Sequence, residues 1–435
     1  TGHAMQLKEC AKKDPRRYSD LIVKAAQDEN IQLTYPLYGF EGVTEAEDKE
    51  ENREYVLKCF NAIKIRFDGD VNKNGSAQLC QILRPLKYFI EHGPMPQEVF
   101  NFICEAVINA KEDDDNNDPN DKEPYQKGLN RARGIAAGLL VDCSRYKEHY
   151  GEAIFNTLFS IAKNASIVTR AAIILNGAQL NKIDPDRSLD LYIELMYDCQ
   201  PSLINIPLHN WNPVVYYINY GFDRLIPLYE EAIKKPACHQ VLTETLWIAY
   251  VKEKDGAEQL LRKILKKSAF AATSFIRTVL RFYSSAPLSK SLNLLVMLMD
   301  MDNEETNKEL NDIFDRHEYW IAKDIYDYAE EFMSHPCCQY VDRSFFNYLS
   351  ALTKKKPKKA LEWVLKINEN NVDEQDDRNN TQQILQVLTQ AYNCVRRYSP
   401  TDRLVEEAMD VMDKILEDPE KRQYLRGFIN ELDNR

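Results

Sequence analysis

The residues with the clearest chemical potential are one would-be calcium loop and three histidine–cysteine neighbours. In DVNKNGSAQLCQ, Asp70, Asn72 and Asn74-Gly75 stand at the spacing that opens an EF-hand loop. A calcium ion takes roughly six to eight oxygens, including a bidentate glutamate at the twelfth position, which here is Gln81. One carboxylate supplies too little charge, so an ordinary turn is expected. His335, Cys337 and Cys338 in HPCCQ, His239 beside Cys238, and His149 near Cys143 each lack the second ligand pair of a tetrahedral zinc site. No metal and no cofactor is therefore expected. The chain has no G-x-x-x-x-G-K-[ST], no G-x-S-x-G and no H-E-x-x-H. No catalytic residue is assigned, and this segment is not expected to be an enzyme.

Aromatic residues are the more informative group. NWNPVVYYINYGF gathers Trp211, Tyr216, Tyr217, Tyr220 and Phe222, and EYWIAKDIYDYAEEF gathers Tyr319, Trp320, Tyr326, Tyr328 and Phe332. Trp and Tyr dominate binding hot spots because each offers a large rigid area with a polar tip. About half must fill the core. The candidates for a partner-binding surface are Trp211, Tyr217 and Tyr220 in one place and Tyr319, Trp320 and Tyr326 in another.

Two arginines pose a different question. Arg133 precedes Ile135, Ala136, Ala137, Leu139 and Leu140 in NRARGIAAGLL, and Arg170 opens a looser copy, TRAAIILNGAQL, 37 residues later. Small residues let helices approach closely. Arginine at such a place bonds carbonyl ends or acidic residues of the adjacent repeat, so Arg133 and Arg170 are read as structural.

The elements that would carry these residues are helices. Ile154, Leu158 and Ile161 share one face of GEAIFNTLFSIA, and Leu189, Ile193 and Met196 one face of DRSLDLYIELMYDC. The same spacing places Ala257, Leu261, Ile264 and Leu265 together, and Ile384, Leu388, Ala391 and Val395. Asp184-Pro185, Asp255-Gly256 and Ser399-Pro400-Thr401-Asp402 read as helix starts, with prolines falling between segments. ACHQVLTETLWIAY and AFAATSFIRTVLRFY begin 32 residues apart, and each precedes a second apolar helix. Helix pairs repeating at roughly 30 to 45 residues predict an all-α fold, an α-solenoid of HEAT/TPR-like helical hairpin repeats. EDDDNNDPNDKEP, residues 112–124, is read as having no apolar residue to bury and is expected to be mobile and dispensable. The division expected is a tag remnant at 1–5, N-terminal repeats at 6–111, an acidic mobile loop at 112–127, and a solenoid at 128–435.

Composition agrees. Fourteen glycines in 435 residues is well below the usual roughly 7%, which favours helices over glycine-rich phosphate loops. A net charge of −12 opposes direct nucleic-acid binding. Lys354, Lys355, Lys356, Lys358 and Lys359 around Pro357 read as a solvated helix–helix turn. LNLLVMLM from Leu292 is far too short to span a bilayer, and ten cysteines without a repeating spacing suit reduced thiols, so a cytoplasmic protein is expected.

The succession of blocks has a family likeness. DPRRYSDLIVKAAQDENIQLTYPLYGFEG (14–42), LNRARGIAAGLL, SIVTRAAIILNGAQLNKIDPDRSLDLYIEL and LHNWNPVVYYINYGFDRLIPLYEEAI follow one another in an order that resembles the C-terminal helical-repeat region of Avs (AVAST) STAND NTPases of prokaryotic antiviral defence. The resemblance covers roughly residues 6 to 300. It implies a sensor that recognises a viral protein, the terminase large subunit or the portal, and so triggers oligomerisation of a longer parent that carries an effector and an NTPase. No effector or NTPase motif is present in this chain. The alternative is a helical-repeat scaffold for a host complex.

Overall fold

Short polar side chains start the helices. Asp14, Ser166, Asp184, Ser268 and Asn303 each accept a hydrogen bond from the backbone N–H three residues on, and Asp342 accepts from Ser344 and Phe345. Each such bond satisfies a donor that the first helical turn leaves without a partner. Asp402 likewise accepts from Leu404 N. A computed structural model describes residues 2–47, 51–69, 76–112, 117–206, 214–283, 286, 288–301, 303–315, 323–370 and 378–417. Helix accounts for 81% of them, with no strand among the described residues.

Two units carry the helices, one formed by Thr1–Thr245 with Lys254–Gly256 and one by Leu246–Glu253 with Ala257–Arg435. The first contains α1 (Gly2–Lys13), α2 (Pro15–Gln27), α3 (Thr34–Thr44), α4 (Arg53–Gly69), α5 (Ser76–Leu83), α6 (Lys87–Glu91) and α7 (Gln97–Asn109). It continues through α8 (Pro124–Gly128), α9 (Ala132–Asp142), α10 (Lys147–Ile161), α11 (Ile167–Asn176), α12 (Pro185–Leu195), α13 (Pro201–Ile204) and α14 (Val214–Ala232). The division falls within α15 (His239–Val251). The second unit holds α16 (Ala257–Leu265), α17 (Ala269–Arg281), α18 (Leu292–Met299), α19 (Glu304–Asn311), α20 (Lys323–Ser334), α21 (Arg343–Leu352), α22 (Pro357–Asn370), α23 (Arg378–Tyr398) and α24 (Arg403–Glu417).

Helices pack on the next but one in the chain, which is the mark of stacked hairpins. In the first unit α1 lies on α3 and α2 on α4, and α7, α9, α11 and α13 form one row beside a second row of α10, α12 and α14. In the second unit α17 pairs with α19, α18 with α20, α21 with α23 and α22 with α24. This is an all-α helical-repeat fold. Two glycines let helices of the first unit approach closely: a Cβ on Gly134 of α9 would collide with the Gly128 carbonyl, and one on Gly128 with the Val168 carbonyl of α11 and Ala172 Cβ. In the second unit Phe314 is the hub of an aromatic core, with Tyr328, Phe332, Phe345 and Tyr348 rings 4.7–5.4 Å away.

Residues 2–5 form the first turn of α1, and Ala4 is buried. The acidic tract lies inside the first unit. Its described ends are held by hydrogen bonds. Glu112 accepts from Ser166 and Thr169, Asn117 Oδ1 accepts from Ile167 N at 3.1 Å, and the Pro119 carbonyl accepts from Ser202 N at 3.1 Å. Polar groups hold the described residues of this segment. Prolines do not all avoid helix interiors: Pro227 lies within α14, downstream of a non-helical break at Gly221. A Cβ on Gly221 would sit 2.6 Å from Leu189 of α12, so glycine there lets the two helices meet.

Candidate functional site

Basic side chains that reach from one helix to the carbonyl end of another recur through the chain. Arg133, in the first turn of α9, donates Nε to Val107 O at 2.7 Å and Nη2 to Ile108 O at 3.3 Å, both at the end of α7, and Nη1 to Glu112 at 2.8 Å. Arg170 on α11 donates to Leu195 O at the end of α12 and forks both oxygens of Asp198, each bond 2.9 Å. Both guanidiniums therefore serve architecture, satisfying carbonyls that helix ends leave open. Arg66 does the same for Ala25 O in the last turn of α2 and Asp28 O just after it, Arg53 for His92 O, and Lys366 for Met333 O. No local sequence signal marks these last three, because their partners lie 33 to 41 residues away.

Burial favours the neutral forms of Glu112 and Asp198, yet donated hydrogen bonds outweigh it. Ser166 and Thr169, with Arg133, leave Glu112 below the usual carboxyl range, and Arg170 and Gln200 do so for Asp198.

The aromatic candidates separate cleanly. Tyr217 is 1% exposed. Its hydroxyl pairs with Ser188 Oγ at 2.7 Å and its ring leans on Tyr192. It is a core residue, which corrects its assignment to a binding surface. The reason is helical phase: Val214, Tyr217, Ile218, Gly221, Phe222 and Leu225 form the buried stripe of α14. Tyr220 is on the opposite side, 44% exposed, and stacks on Tyr216, 40% exposed, with ring centroids 5.9 Å apart and planes 15° from parallel. Tyr220 donates its hydroxyl to Asp186 of α12 at 3.0 Å, which raises its phenol above the ordinary value.

Charged groups extend this face across three successive helices of one row. Arg187 of α12 forks Glu152 of α10 and lies over the Phe155 ring at 4.6 Å. Arg224 of α14 bonds Asp186 and Asp190 of α12. Comparison with family models, curated proteins and solved structures gave no match to this chain. The site therefore rests on its own geometry.

In the second unit Tyr326 of α20 is half-buried. It stacks on Trp363 of α22 at 5.9 Å, donates its hydroxyl to Glu330 at 2.9 Å, and has Lys356 Nζ 3.2 Å above its ring. Burial, then Glu330, pushes its phenol up to about 12. The lysine run thus holds a ring as well as a turn, and Lys358 pairs with Asp402. Trp211, Tyr319, Trp320 and the Asp70 loop as far as Gly75 lie outside the described residues.

The remaining chemistry is quiet. The ten cysteines are free thiols. Burial pushes Cys337 up to about 12, far from the thiolate a metal or a nucleophilic reaction requires. No group of three metal-ligating side chains occurs among the described residues. No helix among them is long and apolar enough to cross a membrane.

Proposed function

We propose that this chain is a non-catalytic protein-recognition region, the sensor of an antiviral STAND NTPase. In that reading it binds a viral protein such as the terminase large subunit or the portal, in the cytoplasm, and the full-length parent then oligomerises. The order of sequence blocks over roughly residues 6 to 300 supports the family. The observation that supports recognition is the exposed Tyr216–Tyr220 stack, set on a face that runs over α10, α12 and α14. Rigid aromatic rings raised from a polar rim are what binding hot spots are made of.

The test is capture of purified terminase large subunits and portal proteins by this chain, followed by titration with Tyr216→Ala and Tyr220→Ala. Each alanine should weaken a true complex by about 2 kcal/mol, roughly thirtyfold, while helicity is unchanged. Capture of none of these viral proteins, with a host subunit bound instead, would support the scaffold alternative.

A further inference from the structure

Two places in this molecule hold a cation between an aromatic ring and a carboxylate, and a third holds one over a tyrosine whose hydroxyl is bonded to a carboxylate. Arg187 forks Glu152 while lying 4.6 Å from the Phe155 ring centre. Arg170 forks Asp198 while lying 5.2 Å from that of Tyr197. Lys356 sits 3.2 Å over Tyr326, whose hydroxyl is bonded to Glu330. A cation is drawn to the electron-rich face of a ring, and a nearby carboxylate adds to the pull.

Tyr216, Tyr220 and Asp186 have the same parts in a different state. The two rings are nearly parallel and exposed, and the Tyr220 hydroxyl joins them to Asp186. Among the described residues no cation lies over either ring. The nearest arginine of this face, Arg224, is spent on Asp186 and Asp190, and Arg187 is spent on Glu152. The side chains of Asp186, Asp190 and Glu152 are 69%, 53% and 73% exposed, so each keeps acceptor sites turned to solvent. The face therefore offers two π surfaces and an excess of acceptors, with its own donors already engaged.

We propose that the Tyr216–Tyr220 face receives an arginine side chain of the protein partner, laid over the tyrosine rings with its guanidinium directed at Asp186. Arginine fits better than lysine, because a planar and weakly hydrated guanidinium stacks and donates in the same plane. A basic segment also complements the chain's net charge of −12. The inference rests on the recognition reading above and names the chemistry of the partner at that site.

The probe is a blocked pentapeptide, arginine flanked by glycines, with lysine and citrulline versions, titrated into the full chain at low salt. The arginine peptide should bind saturably and at least about fivefold more tightly than the citrulline peptide, which keeps the shape and loses the charge. Tyr216→Ala with Tyr220→Ala removes no charge, yet should abolish that preference. Asp186→Asn should reduce it. Citrulline binding as well as arginine, or the double variant binding like the parent at equal helicity, overturns the proposal. Competition separates the two ideas. If a viral protein is captured through these tyrosines and the arginine peptide fails to displace it, the arginine is wrong while recognition stands. If the peptide passes every test and no viral protein is captured, the arginine site stands and the viral reading falls.

Discussion

Glu112 and Arg133 face each other at 2.8 Å across the end of α7, and both are largely shielded from solvent. Through its other bonds Glu112 also holds Ser166 and Thr169 at the start of α11. One carboxylate thus ties three helices of the same row. Replacing Glu112 with alanine leaves Arg133 without its counter-charge and the first turn of α11 without an acceptor. The expected cost is about 3 kcal/mol in urea unfolding, the loss typical of breaking a shielded pair. An unchanged midpoint would return this tract to the dispensable loop its composition suggests.

The same group sets an acid limit. Its folded pKa is depressed below the ordinary 4.5, so its contribution is present above that value and is lost as pH falls through the folded pKa. Asp198, also depressed, adds to the loss in the same direction. Thermal scans between pH 7 and pH 3 should show stability falling below about pH 4.5, less steeply in Glu112→Gln.

Asp312 behaves oppositely. Burial, with Glu309, Asp315 and Asp342 nearby, raises it to about 6. A raised carboxyl stabilises the fold in its protonated form, and that benefit is lost as pH rises through about 6. Asp312→Asn should raise the melting temperature at pH 7.5 and change it little at pH 4. Equal shifts at both values would show that the acid neighbours do not govern it.

Tyrosines 217 and 220 should part company under mutation. Tyr217→Phe forfeits the bond to Ser188 and should cost about 1 kcal/mol, and Tyr217→Ala about 3 to 5 kcal/mol for the cavity. Tyr220→Ala, on the exposed face, should fall within about 0.5 kcal/mol of the parent. Denaturant midpoints for the three proteins decide the matter.

Gly134→Ala drives a methyl group into the Gly128 carbonyl, which is backbone and yields little. The expected loss is about 1 to 3 kcal/mol, against the helix-propensity gain that alanine brings elsewhere. A stabilised variant would mean that α8 and α9 separate freely.

Helical phase is legible in the sequence: of the residues it assigns to apolar faces, all but Ile193 are buried. The caps at Asp184 and Asp402 were equally visible, since a cap needs only its next few residues. Tyr217 could have been placed by the same rule, because it belongs to the stripe of Val214, Ile218 and Phe222. A dense run of aromatics masks that phase, because buried and exposed rings alternate within a few residues. Glu112 was hidden for another reason. Its partners lie 21, 54 and 57 residues onward, and a run of acids looks the same whether it is solvated or holds a helix start. The partners of Arg66 were hidden likewise, 35 to 41 residues back.

A ribosome that has extruded this chain past Gly69 has already delivered α1 to α4, with α1 and α3, α2 and α4 serving as one another's partners. Elongation at about 5 to 20 residues per second brings each further hairpin seconds later, whereas helix pairing takes micro- to milliseconds. Within the first unit, a hairpin that arrives later thus finds folded helices to dock on, and its apolar face need not wait for the rest of the chain.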